Sequence, residues 1–207
     1  MLAEKLNPME LSNPSLARYV IDAEVSRFTV RAFATGFLSV FGHNPTIGIH
    51  SFEGEVRLAE DSLDGAGLHL EISAASLAVQ DQVSDKDSKE IERLMRNEVL
   101  EISRFPQITY ECSRVSGKQT GRGQYKVTLQ GELALHGTTR PEPVDAYVNI
   151  LGSMLRASGE CILRPTDYGI KLVSAVAGTL RVKDEVKLSF DLSARKQDGS
   201  NKIEAVE

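Results

Sequence analysis

The chain has 207 residues, 26% of them charged and 41% hydrophobic, with a formal net charge of −5. That length suits one domain with a real core, and the balance is that of a soluble globular protein. The acids are spread out and no basic patch forms, which argues against nucleic acid as a partner; no apolar run approaches the ~18 residues of a membrane-spanning helix.

From Met1 to Arg18 the sequence carries Glu4, Lys5 and Glu10, interrupted by Pro8 and Pro14. A secretory signal needs a basic end followed by an unbroken apolar stretch, and this segment has neither. The expected location is therefore cytoplasmic, or periplasmic if a signal has already been removed. Residues 1–17 and the polar tail 196–207 read as frayed ends around a single domain, 18–195.

Inside that domain a period of two dominates. Phe28, Val30, Ala32 and Ala34 alternate with Arg27, Thr29 and Arg31, which is what a strand with one dry and one wet face must show. Phe52, Val56 and Leu58 follow, with Gly54 between them where a strand can bend. Leu68, Leu70, Ile72 and Ala74 alternate with His69, Glu71 and Ser73. Ser84 to Glu98 then breaks the rule: Ser84 and Asp87 have the spacing of a capping box, and Ile91, Leu94 and Met95 share one helical face. This is one amphipathic helix between two strands, placed either to pack on the core or to act as a lid over a cavity mouth.

After the helix come Ile108, Tyr110 and Cys112, then Val127, Leu129, Leu133 and Leu135, with Gly121-Arg122-Gly123 as a hairpin turn between them. Val144, Ala146, Val148 and Ile150 precede Leu155, Ala157, Cys161 and Leu163, and Val186 to Ala194 gives the clearest alternation of all. Eight or nine such strands joined by Gly- and Asp-containing turns predict an all-β closed barrel or a sandwich. The two cysteines, Cys112 and Cys161, read as small buried hydrophobes rather than a disulfide.

Signals of chemistry are sparse. No GxSxG, HExxH, CxxC, P-loop or GxGxxG fingerprint occurs, and the acids fall mostly on the polar parity of strands or on the helix. The strongest candidate is Phe41-Gly42-His43-Asn44-Pro45 with His50 close behind, His50 sharing parity with Phe52 and Val56. His43 and His50 joined at a barrel mouth by His69 or His136 would make an open zinc-type site. That metal-binding or metal-dependent reading is the alternative, although the spacing is not compact and no thiol pair lies near.

Several stretches, in order, resemble the YceI-like family. Arg18-Tyr19-Val20-Ile21-Asp22 with Ser26-Arg27-Phe28-Thr29-Val30 is similar to its opening hairpin, and Phe52-Glu53-Gly54 to its F-x-G motif. Arg104-Phe105-Pro106-Gln107-Ile108-Thr109-Tyr110 resembles the segment that follows the helix. The most specific is Gly131 to Pro141, close to G-x-L-x-x-H-G-x-T-[KR]-P; Asp167-Tyr168-Gly169-Ile170 and Asp184-Glu185-Val186 complete the set.

The resemblance implies an extended antiparallel lipocalin-like β-barrel with one inserted helix, at about residues 84–98. It also implies non-enzymatic capture of a polyisoprenoid or prenylated quinone inside the barrel, with no catalytic residues, no required cofactor, and an isoprenoid lipid as the bound molecule. On parity, Phe28, Val30, Ala32, Phe52, Val56, Leu70, Ile72, Leu133, Phe190 and Leu192 are expected to line the cavity. Leu94, Met95, Phe105, Tyr110 and Tyr168, with Ile91, are expected to line or close its ends. His136 opposes the parity of Leu133 and Leu135, so a role in the turn is expected of it. A barrel packed solid and acting through an outer face is the remaining rival, and the sequence is equally compatible with a monomer and with a homodimer paired by a sheet edge.

Overall fold

A computed structural model describes residues 16–36, 44–59, 62–172 and 180–197. The two frayed ends, apart from a few residues, and His43 lie outside these. The elements run β1 (Ala17–Ile21), β2 (Arg27–Gly36), β3 (Thr46–Ile49), β4 (Phe52–Leu58), β5 (Gly67–Ser73), β6 (Leu77–Val79) and α1 (Asp85–Leu94). Then come β7 (Gln107–Gly121), β8 (Gln124–Leu135), β9 (Thr138–Leu151), β10 (Met154–Leu163) and β11 (Leu180–Lys196).

All pairings are antiparallel, and β1 pairs with both β4 and β11, which closes the ring β1-β4-β5-β7-β8-β9-β10-β11 into an eight-stranded barrel. The three extra strands are continuations. β1 and β2 both run antiparallel along β11, Ile21 opposite Ala194 and Arg27 opposite Asp191, so they form one strand interrupted by the turn at Asp22–Ser26. In the same way β3 continues into β4 across His50-Ser51, and β5 into β6 across a 3-10 turn at Ala74–Ser76.

The alternation in the sequence becomes the two faces of this wall. On β9, Val144 and Ala146 are buried while Pro143, Asp145 and Tyr147 are exposed. Ion pairs tie neighbouring strands on the outer surface, as between Arg156 and Asp191 or Lys187 and Glu160; at such exposure solvent screens them and they add little to stability. Phe28 meets Phe52 and Phe190 edge-on, at ring-centroid distances of 6.2 and 6.1 Å, and this trio joins three strands from within.

The predicted helix is present but ends early. Ser84 caps α1, its hydroxyl accepting from the Asp87 amide, and after Leu94 the chain widens into a π-helical turn at Met95–Val99. The insertion is fastened to β6 by a bond from the Val79 amide to Glu92 Oε1. It lies at the barrel end that also carries the β8–β9 turn, called here the upper end.

Candidate functional site

The barrel is hollow. A cavity of about 1010 Å³ occupies its interior, at the top of the range for binding pockets. Its wall is almost wholly aliphatic and aromatic, contributed by every strand of the ring except β1. Of the expected lining residues, Phe28, Val30, Ala32, Val56, Leu70, Ile72, Leu133 and Phe190 are in the wall, as are Tyr110 and, from the helical insertion, Ile91, Leu94 and Met95. The insertion thus presents its apolar face to the cavity, and Asp81, Asp87, Glu90 and Lys171 form a charged rim around this upper end.

Four expected lining residues are elsewhere. Phe52 and Leu192 are buried with 8% and 7% exposure but are packed into the wall. Phe105 lies against His136, with ring centroids 4.5 Å apart, and the Arg104 guanidinium carbon is 5.0 Å from the Phe105 centroid. Tyr168 is buried in the 3-10 turn Pro165–Tyr168 that covers the end of β9, its hydroxyl donating to Glu142 Oε2 at 2.9 Å. These last two close the upper end without touching the cavity.

His50 does not point inward, and the reason is local. Ile47 and Ile49 are buried on β3 and Phe52 is buried on β4, so the inward parity changes from odd to even across the break, leaving His50 exposed. His69 is also outside, paired with Glu111. His136 occupies the two-residue turn between β8 and β9, where it and Gly137 both have positive φ, 51° and 74°. That is the twist a tight hairpin requires, and the Phe105 ring covers Gly137 so closely that no Cβ would fit there. Nδ1 of His136 is 3.3 Å from the Tyr168 carbonyl and Nε2 is 3.4 Å from Glu101 Oε1. Among the described residues no three His, Cys, Asp or Glu side chains are grouped as metal ligands.

Parity missed one polar residue. Glu142 is two residues before Val144 on β9, on the same inward face, and it lines the cavity. Around it stand Tyr110, whose hydroxyl donates to the Glu142 carbonyl at 2.9 Å, and Tyr168. Burial pushes both phenols above their usual range, with Cys112 adding to the effect at Tyr110 and the bond to Glu142 at Tyr168. The signal was present in the alternation of Val144, Ala146 and Val148; it needed only to be extended one step upstream.

Both cysteines are free. The Cys161 thiol, in the cavity wall, is pushed up to about 11, chiefly by burial and then by the Glu142 charge. A raised value keeps it protonated at neutral pH, and only the thiolate is nucleophilic. In a Cys112→Ala background, alkylation of Cys161 by iodoacetamide should therefore rise about tenfold per pH unit from pH 7 to 9. A plateau below pH 9 would contradict this environment.

The YceI-like domain profile matches residues 19–194, whereas no curated protein sequence matches. A polyisoprenoid binding domain from Saccharophagus degradans, implicated in plant cell wall breakdown, superposes with a TM-score of 0.63 at 15% identity, covering 89% of this chain and 100% of that one. BcnA of Burkholderia cenocepacia gives 0.61 at 16% identity, with 84% and 98% covered. The YCEI protein of Campylobacter jejuni gives 0.55 at 13% identity, with 73% and 85% covered. At these identities the superpositions speak for the fold alone; the profile, spanning nearly the whole barrel, shows that the chain belongs to the YceI-like family.

Proposed function

We propose that this protein is a non-enzymatic carrier that holds a long apolar molecule, a polyisoprenoid or the tail of a prenylated quinone, inside its barrel. The observation that carries this reading is the cavity: about 1010 Å³, walled by aliphatic and aromatic side chains, with the apolar face of the helical insertion over its upper end. A barrel acting only through its outer surface has no use for such a volume, since every unfilled methyl-sized gap costs stability. The polyisoprenoid-binding domain of S. degradans, with the same fold, supports the choice of ligand class.

Energetics are ample. An isoprene unit has five carbons and gains ~4 kcal/mol gross on burial at ~0.8 kcal/mol per carbon. Five units already reach the ~20 kcal/mol at which noncovalent affinity saturates, so ordering of the chain and incomplete burial must offset much of the gain. The length of the cavity, rather than its affinity, then sets which chains are held.

The test is organic extraction of freshly purified protein followed by lipid mass spectrometry. An isoprenoid lipid at close to one per chain is expected. Protein that carries no lipid, and takes up neither an added isoprenoid nor an apolar fluorophore, would rule the carrier out.

A further inference from the structure

Five carboxylate and ammonium side chains border the cavity, and four of them belong to the rim. There, the Asp81 carboxylate accepts from the Thr46 amide at 2.6 Å, Asp87 accepts from the Ser84 hydroxyl at 2.6 Å, and Glu90 is held by Arg93 at 2.8 Å. Lys171 is exposed. Glu142 differs from all of these. It is half-buried on the inner face of β9, two residues before Val144, beside Tyr110 and near Cys161. Among the described residues its side chain has one hydrogen-bond partner, the neutral hydroxyl of Tyr168, on Oε2. Among the described residues no Lys, Arg or His lies within 4.0 Å of it.

A carboxylate facing an apolar cavity without a cation is costly unless something else satisfies it. Tyr168 satisfies Oε2, no donor among the described residues meets Oε1, and Glu142 lines the cavity. The two neighbouring hydroxyls are already committed: Tyr168 to Glu142 itself, and Tyr110 to the main-chain carbonyls of Glu142 and Leu129. The wall at this point therefore offers acceptors, and its only uncommitted donor among the described residues is the weak S–H of Cys161. The residues lining the rim are three acids and one lysine, with Glu90 already neutralised by Arg93, so the lining carries a small excess of negative charge.

We propose that Glu142 is the head-group anchor of the cavity, selecting apolar chains that end in a hydrogen-bond donor and rejecting those that end in carboxylate or phosphate. The class is that of long-chain prenols, amines and the reduced, hydroxyl-bearing form of a prenylated quinone; the oxidised quinone, which only accepts, gains nothing here. This rests on the carrier reading and narrows it. A hydrogen bond to a half-buried charged acceptor is worth enough to discriminate by about tenfold, and an anionic head against Glu142 loses further by like-charge repulsion.

The test compares ligands of one chain length: geranylgeraniol, geranylgeranoic acid and the matching hydrocarbon phytane, each displacing an apolar fluorophore from the intact protein. Wild type should bind the alcohol at least about tenfold tighter than the acid. Glu142→Gln, which keeps an acceptor for Tyr168, should bring the two within about threefold by admitting the acid. Glu142→Met, similar in size and apolar, should weaken the alcohol about tenfold without weakening phytane, and decides the matter if the glutamine variant does not fold. Wild type binding alcohol and acid equally, with phytane also bound, would overturn the anchor while leaving the carrier standing. Displacement by none of the three would overturn both.

Discussion

Ala157→Phe is expected to shorten the isoprenoid that co-purifies with the protein by about one five-carbon unit. Ala157 is on β10 opposite Val148 and Leu192, in the part of the cavity farther from the helical insertion. A six-carbon ring placed there fills on the order of 100 Å³ of a cavity of about 1010 Å³, roughly the space of one isoprene unit. Because the new ring enters open volume, the overpacking penalty of a filled core should be largely absent, and stability should change little. Ala32→Phe makes the complementary case: Ala32 faces the cavity near Pro45 and Val186, at the upper end. Bulk there should slow uptake and release without changing the preferred length. Mass spectrometry of extracted lipid reads the first effect and fluorophore-uptake kinetics the second; an unchanged length distribution in Ala157→Phe would mean that chain ends do not reach the lower cavity.

Gly131→Val should lower stability by about 3 kcal/mol, which urea titration would read as an earlier midpoint. Tyr110 is on β7 opposite Leu133, and its ring leans diagonally across β8 so that the hydroxyl reaches the carbonyls of Leu129 and Glu142, at 3.3 and 2.9 Å. That path exists because residue 131 has no side chain: a Cβ would fall within the van der Waals envelope of Tyr110 Cζ and Oη. A valine must expel the ring, combining about 1–3 kcal/mol of overpacking with about 1–3 kcal/mol for breaking a buried hydrogen bond. In a Tyr110→Ala background the same valine should cost at least about 1 kcal/mol less, because the two residues compete for one space. Strict additivity would show that the strain arises elsewhere.

Alternation made the strands and their inner faces readable, because a pleated chain with one apolar side has no other way to distribute its residues. Parity, however, gives a face and not a depth. Phe52 and Leu192 point the right way yet are packed into the wall, while Ile47, Leu77 and Val79, on strands too short to show a period, reach the cavity. It also fails wherever a strand is broken, as at His50, where two separate segments abut and the count restarts. Glu142 is illegible for a different reason: it stands between Pro141 and Pro143, where two prolines and a neighbouring turn interrupt the apolar alternation that marks an inward position. Phe105 and Tyr168 became intelligible only through the contacts of the plug they build with His136.

The seam where β1 meets β11 bears on how the protein comes into being. Tyr19 pairs with Lys196 and Ile21 with Ala194, so the earliest stave of the ring waits for the latest one. A nascent chain cannot seal its lumen while the ribosome is still adding β11. Contacts of such wide separation along the chain also make folding slow, on the order of milliseconds to seconds. Until β11 has joined both β10 and β1 the ring lacks one stave, so the lumen acquires its full wall only with the last strand.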